Sequence, residues 1–191
     1  MRRMGRAVRG TASVLLAGVV LAGCGTTDDE GAKSDMDMQE AANSADAMLD
    51  ATLGALVPEV QWAHDTTTSG SCTVTRRRTV TTIVSEQRRG SFLGVVERFW
   101  KKSGYEITGV NPHKEAPAIF ARTPDGFTMS VEVAYKGQVF FDVTTPCVEK
   151  SDVAESTTEP NGPAYPLGQI PTPHVRSDFW SATTPAPAPS S

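Results

Sequence analysis

Residues 118–145 read AIFARTPDGFTMSVEVAYKGQVFFDVTT, and they carry the strongest indication of the fold. It contains three runs rich in β-branched and aromatic residues, separated by short turns at residues 123–126 and 136–137. Because side chains alternate between the two faces of a strand, the second and third runs each place their apolar residues on one face. The residues predicted to share that face are Phe127, Met129, Val131, Val133, Val139, Phe141 and Val143. Three antiparallel strands joined by hairpins are therefore predicted at residues 118–123, 127–135 and 138–145.

A helix is predicted just before this meander. Apolar residues recur at helical spacing from Phe92 to Trp100, and Lys101 and Lys102 follow in the last turn. Ser91 is suited to cap the start of this helix, and Gly104 is suited to end it.

Three further elements precede or follow that helix. Apolar spacing from Ala41 to Leu56, ended by Pro58, predicts an earlier helix. Residues 72–84 are dense in Thr, Val and Ile, which favours a strand, and residues 105–110 form another candidate strand.

The regions that flank the domain have a different composition. Residues 24–38 are small and acidic, and residues 151–191 contain eight of the thirteen prolines. Such segments bury too little apolar surface to fold alone, so a solvated tether and a disordered tail are predicted. For Phe179 and Trp180, docking on the domain or a partner and exposure to solvent are both open.

Residues 1–23 have the pattern of a signal peptide. Arginines at positions 2, 3, 6 and 9 precede an uncharged apolar run over residues 11–23. This run is shorter than the roughly 20 residues that a membrane-spanning helix needs. Sec and twin-arginine export both stay open as routes.

Leu21, Ala22, Gly23 and Cys24 resemble the lipobox of bacterial lipoproteins. With its acidic spacer, cysteine-bracketed domain and Pro/Thr tail, the chain resembles small, uncharacterised lipoproteins of actinobacteria, especially the streptomycete type. The resemblance implies lipidation of Cys24, cleavage before it, and a location on the extracytoplasmic side of the cell membrane. It implies no catalytic residues. Two or more acyl chains on one residue give stable anchoring.

Cys72 and Cys147 are left as a pair once Cys24 is assigned to lipid. In an oxidising compartment a structural disulfide is predicted, with two reduced, buried thiols as the alternative. Because Cys72 opens the first predicted strand and Cys147 follows the last, we expect those two strands to be adjacent and antiparallel. The sequence thus predicts one α+β domain at residues 39–150, with two helices and an antiparallel sheet of four to five strands, in the order helix, strand, helix and four strands.

Residues suited to catalysis or metal binding are few. His64, His113 and His174 are too far apart for a metal-binding spacing, and the sequence has neither a G-x-S-x-G motif nor a Gly-rich phosphate loop. Three acidic residues that were considered as catalytic carboxylates fall on predicted polar faces: Glu97, Glu132 and Asp142. The sequence therefore predicts no catalytic residues, no metal and no cofactor.

Positive charge is concentrated between residues 76 and 102, where eight basic residues accompany two acidic ones. Alternation sends Arg76 and Arg78 to one face and Arg77 to the other, so an exposed strand end is predicted for the triplet. On a lipid-tethered domain this patch is suited to contact anionic lipid headgroups or wall polymer, whereas a solvated surface that keeps edge strands from pairing is the alternative. The patch consists of Arg76, Arg77, Arg78, Arg88, Arg89, Arg98, Lys101 and Lys102.

The net charge and the predicted location together limit the functions that the protein can have. Loss of the four signal-peptide arginines leaves 14 basic and 22 acidic residues, a formal charge near −8, which argues against nucleic-acid binding. The predicted function is a membrane-anchored, extracytoplasmic, non-catalytic binding or accessory module of the cell envelope, with an envelope protein, anionic lipid or wall polymer as partner. A cell-wall-directed hydrolase and a carrier of a small apolar ligand are the alternatives.

Overall fold

The computed structural model describes residues 36–166 and 168–184, and the predicted signal peptide, Cys24 and most of the tether lie outside them. The described residues form two helices and a seven-stranded antiparallel sheet, which confirms the α+β class. Neither of these helices is long and apolar enough to cross a membrane. The elements in chain order are α1 (Met38–Gly54), β1 (Trp62–His64), β2 (Thr68–Ser69), β3 (Val74–Val80), α2 (Glu86–Lys102), β4 (Glu106–Asn111), β5 (Ala118–Arg122), β6 (Thr128–Val133) and β7 (Val139–Thr144).

A capping box begins α1. The carboxylate of Asp37 accepts a hydrogen bond from the backbone N–H of Glu40, and the side chain of Glu40 accepts one from the backbone N–H of Asp37. These bonds satisfy two backbone donors at the helix start. The predicted apolar face of this helix is buried, including Ala41, Leu49 and Leu53.

α2 begins at Glu86, five residues before the predicted cap. Ser85 is its N-cap residue, and Ser91 lies inside the helix, so the prediction of Ser91 as the cap is wrong. The residues between the two serines are mostly polar and therefore give no apolar periodicity. Gly104 follows the last helical residues with a φ of 81°, the left-handed conformation that commonly ends a helix.

The strands lie in the order β1-β3-β7-β6-β5-β4, and β2 also pairs with β3. The sequence predicted four to five strands and missed β1 and β2. These strands have three and two residues, too few to show the alternation on which strand prediction depends.

The predicted first strand, residues 72–84, corresponds to β3 and pairs antiparallel with β7. The strand that comes first in the chain is β1, which pairs with β3 and does not lie beside β7. The prediction that the first strand lies beside the last is therefore wrong, because the first strand is β1, which the sequence pattern did not indicate.

The helices lie on one face of the sheet. α1 contacts β3 and β7, α2 contacts β4, β5 and β6, and the two helices touch each other. Large apolar side chains fill the space between helices and sheet, and those buried most completely are Trp100, Trp180, Phe92, Phe127, Phe141, Met38 and Leu49. The second face of the sheet is not covered by either helix.

A disulfide joins Cys72 and Cys147, with their Cα atoms 4.8 Å apart. It connects the chain just before β3 to the chain just after β7, where the backbone N–H of Val148 also donates to the carbonyl of Cys72 at 2.9 Å. The predicted disulfide is confirmed, and it fixes the pairing of two central strands at one end.

Residues 151–166 and 168–184 were predicted to be a disordered tail, but they pack along the domain. Trp180 is fully buried, with its ring centroid 5.2 Å from that of Phe92, so docking on the domain is the arrangement observed for this residue. Backbone bonds join Val175 to Thr81 and Ile83. The composition of the segment did not indicate this packing, because two adjacent aromatic residues, Phe179 and Trp180, and a set of hydrogen bonds anchor a segment that is otherwise mostly polar.

Candidate functional site

The face of the sheet that points away from α1 and α2 is largely open to solvent, and we call it the outer face. Strand register places polar side chains from β3, β7, β6, β5 and β4 side by side across it. Because successive residues of a strand alternate between faces, these are the positions between the buried core residues. The outer face consists of Thr75, Arg77, Glu106, Phe120, Arg122, Thr128, Ser130, Glu132, Phe140, Asp142 and Thr144.

Arg77 and Asp142 form a two-point ion pair at the middle of the outer face. Arg77 Nε donates to Asp142 Oδ1 at 2.7 Å, and Nη2 donates to Oδ2 at 3.0 Å. The guanidinium carbon also lies 5.2 Å from the ring centroid of Phe140. The hydrogen bonds that Arg77 donates to Asp142 raise the pKa of the guanidinium. The pair presents donors and acceptors in a fixed orientation.

A depression of about 410 Å³ lies on the outer face next to this pair. Phe120 projects into it with 42% of its surface exposed. Across the strands, the neighbours of Phe120 are Gly109 on β4 and Ser130 on β6, which are both small. Neither of these positions therefore places a bulky side chain against the ring. The depression is lined by Thr108, Gly109, Phe120, Ala121, Thr128, Met129, Ser130, Asp142 and Thr144.

Hydroxyl groups of Thr128, Ser130 and Thr144 line the depression. Thr75 and Thr144 hydrogen-bond to each other at 2.8 Å between their hydroxyl oxygens. The hydroxyls of Thr128 and Ser130 bond to none of the residues that the structure describes. Each of these two groups can both donate and accept a hydrogen bond to solvent or a ligand.

The outer face carries no excess of positive charge. Arg77 and Arg122 contribute two cations, while Glu106, Glu132 and Asp142 contribute three anions. Arg122 lies directly across from Glu106 in the register of β4 and β5. The surface is thus nearly neutral and slightly acidic.

The opposite face of β3 holds a buried ionic cluster. Arg76 and Arg78 are 3% and 0% exposed and point towards α1. Arg76 Nε lies 3.2 Å from Asp46 Oδ2, and Arg78 contacts both Asp46 and Asp50. The guanidinium carbon of Arg78 also lies 4.2 Å from the ring centroid of Trp62. The two acidic residues that neutralise this arginine pair both lie on α1, one helical turn apart.

The cluster also holds the segment that follows residue 150. Arg76 Nη2 donates to the carbonyl of Ala154 at 2.6 Å. The hydroxyl of Thr158 donates to Asp50 Oδ2 at 2.9 Å, and its carbonyl lies 2.7 Å from His64 Nε2. These contacts explain why a polar segment lies against α1 and β1, and they give the cluster a structural role.

The predicted basic patch is divided among several environments and is not one surface. Arg76, Arg78 and Arg88 are buried, and Arg77 is paired with Asp142 on the outer face. Arg88 stacks on Phe179, with its guanidinium carbon 4.5 Å from the ring centroid. The patch prediction fails for these residues because counting charge along the sequence does not show which acidic or aromatic side chains lie nearby in space.

Five basic residues of the predicted patch lie along α2, and four of them are not buried. Arg89 donates to the carbonyl of Lys114 at 3.3 Å, and Lys101 pairs with Glu97 at 2.6 Å. Arg98 and Lys102 are exposed. The basic surface that is left is therefore the C-terminal half of α2, well separated in sequence from the arginine triplet.

The residues considered for catalysis are distributed over different parts of the domain. His64 contacts the carbonyl of Thr158, His113 lies in the β4–β5 loop, and His174 lies near Tyr165. Only Glu132 and Asp142 share a face, on the neighbouring strands β6 and β7. Within residues 36–166 and 168–184, no group of three or more His, Cys, Asp or Glu residues is arranged to hold a metal ion.

The sequence pattern did not indicate the outer face as a site, although part of the signal was present. Thr128, Ser130 and Glu132 are the polar partners in the alternation that predicted β6. Phe120 on β5 and Phe140 on β7 are exceptions, because each is a large aromatic residue on the polar side of its strand, and Phe120 is the more exposed of the two. An aromatic residue at such a position is the signal that could have found the depression.

The fold and the site define a two-layer α+β domain with an open, hydroxyl-rich sheet face. No family model matches the chain, and no curated protein matches its sequence. Among solved structures, the chain is similar to a DUF4853 family protein from Actinomyces odontolyticus. The two are 10% identical, the match covers 73% of this chain and 75% of that one, and the TM-score is 0.30. A score of this size assigns neither a fold nor a function.

Proposed function

We propose that the protein is a lipid-anchored, extracytoplasmic binding module of the cell envelope, without catalytic activity of its own. Cys24 carries the lipid in this proposal, and the outer face of the sheet binds the partner. The observation that carries the binding role is the outer face itself. It combines an exposed aromatic ring, hydroxyls that bond to none of the described residues, and a fixed ion pair around one depression.

Two observations support the proposed extracytoplasmic location. Residues 21–24 resemble a lipobox and directly follow an apolar run. The Cys72–Cys147 disulfide is a bond that persists in oxidising compartments and is uncommon in the cytosol. The anchor and the disulfide would therefore act in the same location.

The side chains between helices and sheet favour surface binding over transport of a small apolar ligand. Such a carrier needs an enclosed cavity, whereas Phe92, Trp100 and Phe141 occupy the space between α2 and the sheet. A hydrolase needs an acid and a base that converge on a substrate. On the outer face Asp142 is already held by Arg77, and Glu132 is an exposed residue on the next strand.

The lipid anchor and the disulfide are tested by measuring the intact mass of protein extracted from membranes, with and without reduction and alkylation. We expect a chain that begins at Cys24 and carries acyl groups, with two thiols that react only after reduction. Cys24→Ala is the matched variant and should leave the membrane fraction. An unprocessed chain, or a wild-type chain without lipid, would contradict the proposed anchor.

The binding surface is tested separately by photo-crosslinking in cells of the native host. A photoreactive amino acid at position Thr128 is expected to form adducts with envelope material. The same probe at position Arg98, exposed on α2, serves as the control and should form few adducts. Adducts from α2 and none from Thr128 would move the binding surface to the basic half of α2.

A further inference from the structure

Phe120 is placed to contact a flat, partly apolar group. It lies in the middle of β5 with a glycine on one side and a serine on the other, so no large neighbour covers the ring. An added Cβ at Gly109 would lie 3.6 Å from Phe120 Cδ2. The edge of the ring therefore lies close to the β4 backbone at a position that has no side chain. An accessible aromatic ring offers an apolar surface on which the C–H face of a sugar can pack.

The groups around Phe120 suit a ligand with many hydroxyls. Thr128 and Ser130 have hydroxyls that bond to no other described residue, and Thr144 lies at the rim of the depression. Asp142 uses two of its acceptor positions for Arg77 and has others left over. Donors and acceptors are thus mixed, as the hydroxyl groups of a sugar require.

The charges on the outer face argue against an anionic ligand. The two arginines both have carboxylate neighbours, and the three carboxylates would repel phosphate or uronate groups. A protein partner is also disfavoured, because one exposed and one half-buried phenylalanine among polar and charged side chains lack the apolar core of a typical interface. An uncharged, hydroxyl-rich ligand fits both conditions.

The length of the site indicates more than one sugar unit. Phe120, Ser130, Asp142 and Arg77 form one row across β5, β6, β7 and β3. Neighbouring strands are about 4.8 Å apart, so the row spans about 14 Å. A linear oligosaccharide can lie along this row.

We propose that the outer face binds an uncharged oligosaccharide of the envelope, with one sugar ring on Phe120 and neighbouring units on Ser130, Asp142 and Arg77. This inference rests on the proposed function and names its ligand class. It would place the lipid-anchored domain against the neutral part of an envelope glycan.

The test is calorimetric titration of the full mature protein in detergent micelles with defined probes. The neutral probes are the tetrasaccharides chitotetraose, cellotetraose and maltotetraose, and the anionic probe is poly(glycerol phosphate). We expect at least one neutral tetrasaccharide to bind and the anionic polymer not to bind. Phe120→Ala should weaken that binding about tenfold or more, as loss of an aromatic contact in a binding site commonly does.

Ile170→Ala is the matched control, because Ile170 is an exposed apolar residue outside the depression, with 59% of its surface accessible. It should bind the same tetrasaccharide as tightly as the unchanged protein. Phe120→Trp keeps an aromatic ring and should retain binding, which separates loss of the ring from disturbance of β5.

Three results would overturn the inference: no binding of any neutral probe, binding of poly(glycerol phosphate) alone, or equal effects of Phe120→Ala and Ile170→Ala. If position Thr128 formed crosslinks to a protein and no sugar bound, the proposed glycan ligand would be rejected. The proposed location of the binding surface would still stand. If the protein from the native host carried no lipid but still bound a tetrasaccharide, the proposed anchor would be rejected and the proposed sugar site would stand.

Discussion

Arg78, a fully buried residue of β3, contacts the carboxylate of Asp50 on α1. A second carboxylate, Asp46, lies 3.6 Å from the same guanidinium and 3.2 Å from that of Arg76. Two arginines on the inner face of a sheet are therefore neutralised by two aspartates one helical turn apart. This cluster joins the helix, the sheet and the segment after residue 150 into one unit.

Replacing the central carboxylate should be strongly destabilising. Asp46→Asn removes charge next to two buried guanidinium groups, and breaking a buried ion pair typically costs about 3–5 kcal/mol. Urea unfolding measured by circular dichroism gives the change in the free energy of unfolding. The control is Glu97→Gln, which removes an exposed helix pair with Lys101 and should cost no more than about 0.5 kcal/mol. Equal losses for the two variants would show that the buried cluster adds no stability.

Gly137 cannot carry a side chain in this fold. Its φ is 76°, and an added Cβ would overlap the carbonyl oxygen of Val84. The positive φ alone costs a residue with a side chain about 1–3 kcal/mol, and the overlap adds to this. Gly137→Ala should therefore lower the midpoint of thermal unfolding clearly.

Gly90 is the matched control for that substitution. It lies inside α2, and an added Cβ would meet no atom within 4 Å. Because glycine disfavours a helix interior, Gly90→Ala should stabilise the protein by about 0.5–1 kcal/mol. Opposite signs for the two Gly-to-Ala changes are the expected result, and a stabilised Gly137→Ala would contradict the packing of Val84 against this turn.

Trp180 should decide whether the segment after residue 150 stays docked. Its ring is fully buried, and its Nε1 donates to the carbonyl of Pro58. Trp180→Ala should cost about 3–5 kcal/mol, as for other buried aromatic residues, and should free the end of the chain. Limited trypsin digestion is the direct measurement, because faster cleavage after Arg176 would report the release.

Ile170→Ala tests whether any apolar change in the same segment has this effect. This side chain is largely exposed, so both stability and the rate of cleavage after Arg176 should be close to those of the unchanged protein. If Trp180→Ala were cleaved no faster than Ile170→Ala, docking by the tryptophan would be ruled out.

The parts of the fold that depend on local sequence were predictable. The last three strands and both helices follow from the apolar spacing within each element, and the disulfide follows from an even pair of cysteines. β1 and β2 were not predictable in this way, because strands of three and two residues are too short to show the alternation of apolar and polar side chains. Their place in the sheet depends on pairing with β3.

The candidate site was less predictable, because its contacts join distant parts of the chain. The polar positions on β6 and β7 follow from alternation, but the pairing of Arg77 with Asp142 depends on a register between residues 65 positions apart. The burial of Arg78 depends on Asp50 and Asp46 of α1, which precede it by 28 and 32 positions. Charge counted along the sequence therefore predicted a surface where the structure has a buried cluster.

The disulfide should contribute a large share of the stability of this domain. It closes a loop of 75 residues, and in the chain-entropy model such a link lowers the free energy of the folded state relative to the unfolded one by about 4 kcal/mol. The double variant Cys72→Ser, Cys147→Ser should lose about this amount in urea unfolding. Most of the loss should appear as a lower midpoint, because the outer face and the core keep their contacts.

A reductant separates the effect of the covalent link from that of the serine side chains. Dithiothreitol should lower the unfolding midpoint of the unchanged protein to near that of the double variant, and it should not alter the double variant. Cys147 is exposed, so the bond is accessible to the reagent in the folded state. If the reduced protein, with both thiols alkylated, unfolded at the same urea concentration as the oxidised one, the link would not be what holds β3 against β7. The six residue pairs between these strands would then be sufficient on their own.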